Sequence, residues 1–131
     1  MNLPGPLLIV DDESHVRTYL KVLLRQLGLT HPLEAANGEA ALEIYAREKP
    51  AAVLLDISMP VLDGLQTLRR LKAADPACVV LMLTSMTNRQ SIEEALALGA
   101  ANYLRKDTPK DELLRTIQET LAALFPAADA P

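Results

Sequence analysis

The chain has 131 residues and a formal net charge of −4, and 50% of its residues are hydrophobic while only 3% are aromatic. This length suits one domain with an aliphatic core, and the net negative charge argues against non-specific binding to nucleic acid, which needs clustered Lys and Arg. A single cysteine excludes an intramolecular disulfide and a multi-cysteine zinc site.

The N-terminal third predicts strand, helix, strand, helix. The run Leu7 to Val10 predicts a buried strand, and Glu34 to Ala36 predicts a weaker, shorter one. Asn37 is a candidate cap for the second helix, and Lys49-Pro50 predicts its end. The first helix has apolar residues at helical spacing, with a glycine at its predicted end: Val16, Leu20, Leu23, Leu24, Leu27 and Gly28.

The rest of the chain continues the alternation. Strands are predicted at Ala52 to Leu55, Val79 to Leu83 and Ala101 to Leu104, because short apolar runs bounded by turn residues are typical of buried parallel strands. The predicted helices begin at Asp63-Gly64, at about Asn88, and at Pro109. Five successive βα units predict an α/β fold with a doubly wound, five-stranded parallel sheet between two layers of helices.

The domain is expected to span residues 1–125, with its core at about 7–125. Pro126 to Pro131 is rich in Ala and Pro and predicts a tail, or the start of a linker, that packs little. The start of the chain resembles no signal peptide, and no apolar run approaches membrane-spanning length. We therefore expect a cytoplasmic protein without membrane contact.

Polar side chains follow four of the predicted strands. Asp11-Asp12 follows the first, Asp56 the third, Thr84 the fourth, and Lys106 comes shortly after the fifth. Because the carboxyl ends of parallel strands share one edge of a sheet, we expect these groups to converge there. Carboxylates in this number favour Mg²⁺, although each residue alone has an ordinary interpretation as a helix cap, strand end or solvated lysine.

Four segments carry a family resemblance: LLIVDDE, VLLDISMPVLDG, LMLTS and YLRKD. In this order and at these separations they closely resemble the signatures of response regulator receiver domains of two-component signalling, over roughly residues 7–125. The resemblance implies a flavodoxin-like fold and a phosphoryl switch, whose only catalysis is its own phosphorylation and dephosphorylation. It also implies a histidine kinase or a histidine phosphotransfer protein as the phosphodonor.

The resemblance assigns roles at the sheet edge. Asp56 is expected to be the phosphoacceptor, and Lys106 to contact the phosphoryl group. Mg²⁺, with Mn²⁺ as a substitute, is expected to bind Asp12, Asp56 and the backbone carbonyl of Ser58, while Asp11 assists largely through water. These roles agree with phosphoryl-transfer chemistry, in which charge stabilisation and positioning provide most of the catalysis.

The resemblance also implies an output. Thr84 and Tyr103 match the pair that rearranges on phosphorylation, although a tyrosine simply packed on the sheet is an equally good interpretation of Tyr103. Ser58 and Met86 are expected to modulate phosphate lifetime. The fourth helix, fifth strand and fifth helix are the expected surface for a downstream target or for a homodimer. An output domain beyond Pro131 would be an alternative target.

The sequence departs from the family at Lys106-Asp107, where many members have Lys-Pro with a cis peptide. Other functions remain as alternatives. A haloacid-dehalogenase-type phosphotransferase expects a second aspartate where Ser58 stands, and a flavodoxin-like flavin carrier expects a phosphate loop in place of Asp11-Asp12. A receiver fold that binds partners independently of phosphorylation usually lacks the acids or the lysine, which are all present here.

Overall fold

The computed structural model describes residues 1–85 and 89–129. Strands and helices alternate along the described chain, and a short 3₁₀ helix, Pro126–Asp129, follows the last of them. The strands are β1 (Leu7–Val10), β2 (Leu33–Ala35), β3 (Ala52–Asp56), β4 (Val80–Thr84) and β5 (Asn102–Arg105). The helices are α1 (Ser14–Gln26), α2 (Gly38–Glu48), α3 (Gly64–Ala74), α4 (Arg89–Ala97) and α5 (Lys110–Leu124).

The five strands form one parallel sheet in the order β2-β1-β3-β4-β5. Alternate side chains of the strands enter two separate apolar clusters, because neighbouring residues of a strand face opposite sides of the sheet. Val53 and Leu55 pack in the cluster that contains residues of α2, α3 and α4, whereas Ala52 and Leu54 pack in the cluster that contains residues of α1 and α5. The predicted doubly wound, three-layer α/β fold is confirmed.

Local signals in the sequence set several helix ends. Asp63 caps α3 in a capping box with Gln66, and the Asn37 side chain accepts a hydrogen bond from the backbone N–H of Ala40 at the start of α2. Gly28, the predicted end of the first helix, and Gly99, which follows α4, have φ angles of +84° and +98°. Because this left-handed region is favourable mainly for glycine, both residues end their helices at little cost.

Four of the predicted strands differ from the observed ones by one residue. The fourth and fifth strands begin and end one residue later than predicted, the second begins and ends one residue earlier, and the third ends one residue later. At the end of β4, Thr84 is still part of the ladder and pairs with Arg105. The difference arises because strand pairing depends on the neighbouring backbone, whereas the prediction followed the apolar side chains. The predicted start of the fourth helix, Asn88, lies outside the described residues.

The C-terminal segment packs more than its composition predicted. Ala128, in the 3₁₀ helix, is buried, and its carbonyl accepts a hydrogen bond from the backbone N–H of Asn2 at 2.9 Å. The expectation that this segment packs little is therefore wrong for Ala128, because a contact with the other end of the chain holds it. In the described part of the chain, no helix is both long and apolar enough to cross a bilayer.

Candidate functional site

The polar residues predicted to converge lie at the carboxyl edge of the sheet. Asp56 is the last residue of β3, and Thr84 is the last residue of β4, beside it in the sheet. Asp11 directly follows β1, on the other side of β3, and Lys106 directly follows β5. The parallel topology therefore brings four sequence segments to one place, as predicted.

Three carboxylates form the centre of this edge. Asp11, Asp12 and Asp56 each offer an oxygen within 4.8 Å of the other two. Asp11 and Asp56 are only 1% and 3% exposed, whereas Asp12 is exposed. The Asp11 Oδ1 atom accepts a hydrogen bond from the Glu13 backbone N–H at 2.9 Å, and Ser58 N–H makes a long contact of 3.4 Å with Asp56 Oδ1.

Lys106 places its ammonium group between the two buried carboxylates. Its Nζ atom lies 2.6 Å from Asp11 Oδ2 and 3.2 Å from Asp56 Oδ1. Burial lowers the pKa of Lys106, but the two carboxylates outweigh that effect, and the net change is upward. The Lys106 backbone N–H donates to the Thr84 carbonyl at 2.8 Å, which continues the β4–β5 pairing up to the lysine.

Charge at this edge is unbalanced. Burial, followed by the neighbouring Asp11 carboxylate, raises the pKa of Asp56 to about 6, although Lys106 and the Ser58 backbone partly oppose the rise. When Asp12 is also ionised, three carboxylates face one ammonium group, which leaves a formal surplus of two negative charges. The site therefore holds more negative charge than its own lysine neutralises.

The donor set fits a hard divalent cation. All three side chains offer carboxylate oxygens, the ligands that Mg²⁺ prefers, and the exposed Asp12 leaves room for the waters that Mg²⁺ retains. Asp11 Oδ2 is buried and has no well-aligned hydrogen-bond donor within the described ranges, so it keeps acceptor capacity beyond its ion pair with Lys106. The raised pKa of Asp56 also agrees with a cation site, because the metal-free site disfavours the ionised carboxylate and a bound cation would favour it.

The loop after Asp56 folds back tightly against the strand. The backbone N–H of Gly64 donates to the Ile57 carbonyl at 2.8 Å, and a Cβ atom at position 64 would lie only 2.1 Å from the Asp56 carbonyl oxygen. Val61, in the same loop, has a φ of +66° and is 94% exposed. A β-branched residue in the left-handed region is strained, and the loop therefore holds an unfavourable conformation beside Asp56.

Thr84 and Tyr103 lie next to each other at the β4–β5 end of the site. Thr84 is fully buried, and Tyr103 is half-buried against the cluster that contains residues of α4. Burial raises the pKa of Tyr103, and a side-chain hydrogen bond with Thr84 partly offsets the rise. The two residues expected to act together are thus in contact, and the packing of Tyr103 on the sheet also agrees with its alternative structural interpretation.

Two further expectations concern the neighbourhood of the site. The Lys106-Asp107 peptide is trans, as no cis peptide occurs in the described residues. Asp107 is exposed and pairs with Arg105, whose Nε and Nη2 atoms lie 3.0 and 2.6 Å from its carboxylate oxygens. Met86, expected to influence phosphate lifetime, lies outside the described residues.

Sequence reasoning missed Arg17 and the close approach of Gly64. Arg17 Nη1 donates to the Asp11 backbone carbonyl at 2.7 Å, and its Nε donates to Glu34 at 3.1 Å. An arginine on a predicted helix is ordinary, and the sequence contains no local signal that its side chain reaches back to the preceding loop. The Asp63-Gly64 pair did indicate a turn into a helix, but not that its glycine contacts Asp56.

Comparisons with known proteins agree with this geometry. Residues 7–118 match the family model described as "Response regulator receiver domain". The chemotaxis protein CheY of Listeria monocytogenes is 34% identical over 113 residues, which are 86% of this chain and 95% of that protein. Sporulation initiation phosphotransferase F of Bacillus subtilis is 34% identical over 115 residues, or 88% of this chain and 92% of that protein.

Solved structures show the same fold. The Vibrio cholerae chemotaxis protein CheY4 superimposes with a TM-score of 0.80 at 27% identity, over 88% of this chain and 98% of that chain. A Borrelia burgdorferi complex described as CheX-CheY-BeF3-Mg+2 contains a chain that superimposes with a TM-score of 0.83 at 26% identity, over 94% of this chain and 90% of that one.

Proposed function

This chain belongs to the response regulator receiver domain family, and from that premise we propose that it accepts a phosphoryl group on Asp56 and changes its partner binding as a result. Receiver domains are signalling modules of two-component systems. The observation that carries the proposal is the buried Asp56 carboxylate, at a strand end, with Lys106 Nζ 3.2 Å away and two further aspartates beside it. The proposed phosphodonor is the phosphohistidine of a histidine kinase or a phosphotransfer protein. We propose that the transfer takes place in the cytoplasm.

The proposed reaction is an in-line displacement at phosphorus. An Asp56 carboxylate oxygen attacks, the new O–P bond forms as the P–N bond to imidazole breaks, and the imidazole leaves with the electron pair and takes up a proton. Asp56 must be ionised to attack, and with a pKa of about 6 it is largely ionised at neutral pH even in the metal-free site. The product is an acyl phosphate.

Lys106 is placed to neutralise the transferring group. It contacts Asp56 Oδ1, so its ammonium lies close to the phosphoryl oxygens when that carboxylate is modified. Asp11, Asp12 and Asp56, with the backbone carbonyl of Ser58, would hold Mg²⁺, or Mn²⁺ in its place. The cation would supply further positive charge near the phosphoryl oxygens. Attack of water on phosphorus later releases inorganic phosphate and restores the carboxylate, at a rate on which Ser58 and Met86 would act.

The proposed output begins at Thr84. Its hydroxyl lies at the end of the strand next to Asp56, and new phosphoryl oxygens would attract it away from Tyr103. Tyr103 contacts Thr84 and also packs against the apolar cluster that includes Ala95 of α4. A movement of Tyr103 would therefore alter the surface formed by α4, β5 and α5. We propose that this surface binds the downstream partner, a C-terminal output domain or a second copy of the chain.

Intact-protein mass spectrometry after incubation with acetyl phosphate tests the proposal. We expect a Mg²⁺-dependent gain of one phosphoryl group that is lost in Asp56→Asn. The matched control is Asp107→Asn, which removes an exposed carboxylate adjacent to Lys106 in sequence and should keep the gain. A folded protein that gains no phosphoryl group under any of these conditions would refute the proposal and favour a receiver fold that binds partners independently of phosphorylation.

A further inference from the structure

The loop that carries Asp11 and Asp12 connects β1 to α1. Glu13, the residue before α1, makes no side-chain cap to the helix, so the usual tether at such a junction is missing. The Asp11 backbone N–H donates to the Ala35 carbonyl of β2 at 3.1 Å, which fixes the end of β1. Beyond that point, the chain turns away from the sheet at Asp12.

Both peptide groups that flank Asp12 are nevertheless hydrogen-bonded. On one side, the Asp11 carbonyl accepts from Arg17 Nη1 at 2.7 Å. On the other side, the Glu13 N–H donates to Asp11 Oδ1 at 2.9 Å. Because these two peptide planes fix the direction in which the Asp12 side chain leaves the backbone, an exposed carboxylate is held in place through its neighbours. These two hydrogen bonds involve the side chains of Arg17 and Asp11. Asp11 is itself a candidate cation ligand, whereas Arg17 is not.

Arg17 is itself held in position. Its side chain is 17% exposed, and its Nε atom donates to Glu34 Oε1 at 3.1 Å. The second oxygen of Glu34 accepts from Lys21 Nζ at 3.0 Å, so two residues one turn apart on α1 share one carboxylate of β2. Hydrogen bonding from Lys21, with a smaller contribution from Arg17, keeps the pKa of Glu34 low despite partial burial. The guanidinium group is thus oriented by β2 while it donates to the loop.

We propose that Arg17 is a positioning residue for the cation site: it orients the Asp11–Asp12 peptide so that both aspartates present oxygens to a divalent cation. This inference rests on the proposed function, because it requires the same cation site. If Arg17 acts in this way, its loss should change cation binding in the direction opposite to the one that electrostatics alone predicts. Removal of a positive charge near the acids should strengthen cation binding, whereas loss of a positioning contact should weaken it.

Isothermal titration calorimetry with Mg²⁺ alone distinguishes the two effects by sign. Arg17→Met is expected to raise the dissociation constant for Mg²⁺ about tenfold. Lys21→Met is the matched control, since it removes the same charge from the same helix and the same Glu34 contact but leaves the Asp11 carbonyl bonded. Its dissociation constant should be unchanged or slightly lower. Arg17→Lys keeps the charge, so a rise of about two- to fivefold in that variant would report geometry alone.

A second readout separates binding from the reaction. In phosphorylation by acetyl phosphate, the Mg²⁺ concentration for half-maximal rate should rise in Arg17→Met, while the rate at saturating Mg²⁺ stays within about twofold of the unmodified chain. If Arg17→Met is unfolded by circular dichroism, Arg17→Lys provides the test. Unchanged or tighter Mg²⁺ binding in the folded Arg17 variants would overturn this inference and leave the proposed function intact. Failure of the unmodified chain to bind Mg²⁺ would overturn both.

Discussion

Asp56→Asn should stabilise the metal-free protein at neutral pH. The carboxylate is buried beside Asp11, and its pKa in the folded state is about 6, against about 3.9 in an unfolded chain. Between these two values the folded state binds more protons at Asp56 than the unfolded state does, so the free energy of unfolding falls as the pH rises from about 4 to about 6. By about pH 7 the loss is nearly complete, and above that pH it stays constant.

The size of the effect follows from the pKa difference. A difference of about two units corresponds to roughly 3 kcal/mol, because each unit is worth about 1.4 kcal/mol. The pKa of about 6 already includes the attraction of Lys106, which lies 3.2 Å from Asp56 Oδ1 and lowers the pKa, so we expect a net gain of about 1–3 kcal/mol at pH 7.5. At pH 4, where Asp56 is protonated in the folded state and about half protonated in the unfolded state, most of the gain should vanish.

Urea unfolding followed by circular dichroism, in EDTA and at several pH values, measures this gain. Glu43→Gln is the control, because it removes one negative charge from an exposed position on α2 and should change stability by less than about 0.5 kcal/mol. The reasoning would be refuted if Asp56→Asn were no more stable than the unmodified chain at pH 7.5, or if its advantage were the same at pH 4 and pH 7.5.

Three further substitutions test other parts of the site by the same urea unfolding assay. Lys106→Met should lower the free energy of unfolding by about 1–3 kcal/mol at pH 8, because it leaves two buried carboxylates without their ammonium group. The loss should be smaller at pH 5, where Asp56 is mostly protonated in the folded state. An equal loss at both pH values would contradict this account. Gly64→Ala should lower the free energy of unfolding by about 2–4 kcal/mol, because the new Cβ would lie 2.1 Å from a backbone oxygen. Gly5→Ala is the control: the atom nearest to its Cβ is 3.4 Å away, and the loss should stay below about 1 kcal/mol. Val61→Asn should stabilise by about 0.5–1 kcal/mol, because Asn tolerates a φ of +66° better than a β-branched residue does; a loss of stability would show that Val61 makes a contact that outweighs its strain.

Much of the fold could be predicted because this architecture requires a distinctive pattern of apolar residues in the sequence. A strand covered on both faces by helices must be apolar throughout, as in Leu7–Val10, where all four residues are buried. Once the runs are assigned to parallel strands, the convergence of Asp11, Asp56 and Lys106 follows from topology alone, since parallel strands end at the same edge. The prediction of the site therefore depended on the parallel direction of the strands, and not on the details of packing.

The features that escaped prediction depend on specific three-dimensional contacts. The sequence between Pro60 and Asp63 indicates a turn, but not that Val61 takes the left-handed conformation, because propensity alone makes a β-branched residue the least expected choice. The reach of Arg17 to the Asp11 carbonyl depends on a long side chain and on Glu34 of a different strand. The burial of Ala128 likewise depends on a contact with residue 2, far away in the chain.

The surplus negative charge connects the stability of this domain to its proposed chemistry. Burial and the proximity of Asp11 raise the pKa of Asp56 and destabilise the metal-free fold, and the clustered carboxylates also create a field that would attract a divalent cation. A cation that binds only the folded state adds stability by mass action. It follows that Mg²⁺ should stabilise the unmodified chain more than Asp56→Asn, and that the two stabilities should approach each other as Mg²⁺ is raised. The energetic cost of an unneutralised site is, on this reasoning, the source of its expected affinity for the cation proposed to assist phosphoryl transfer.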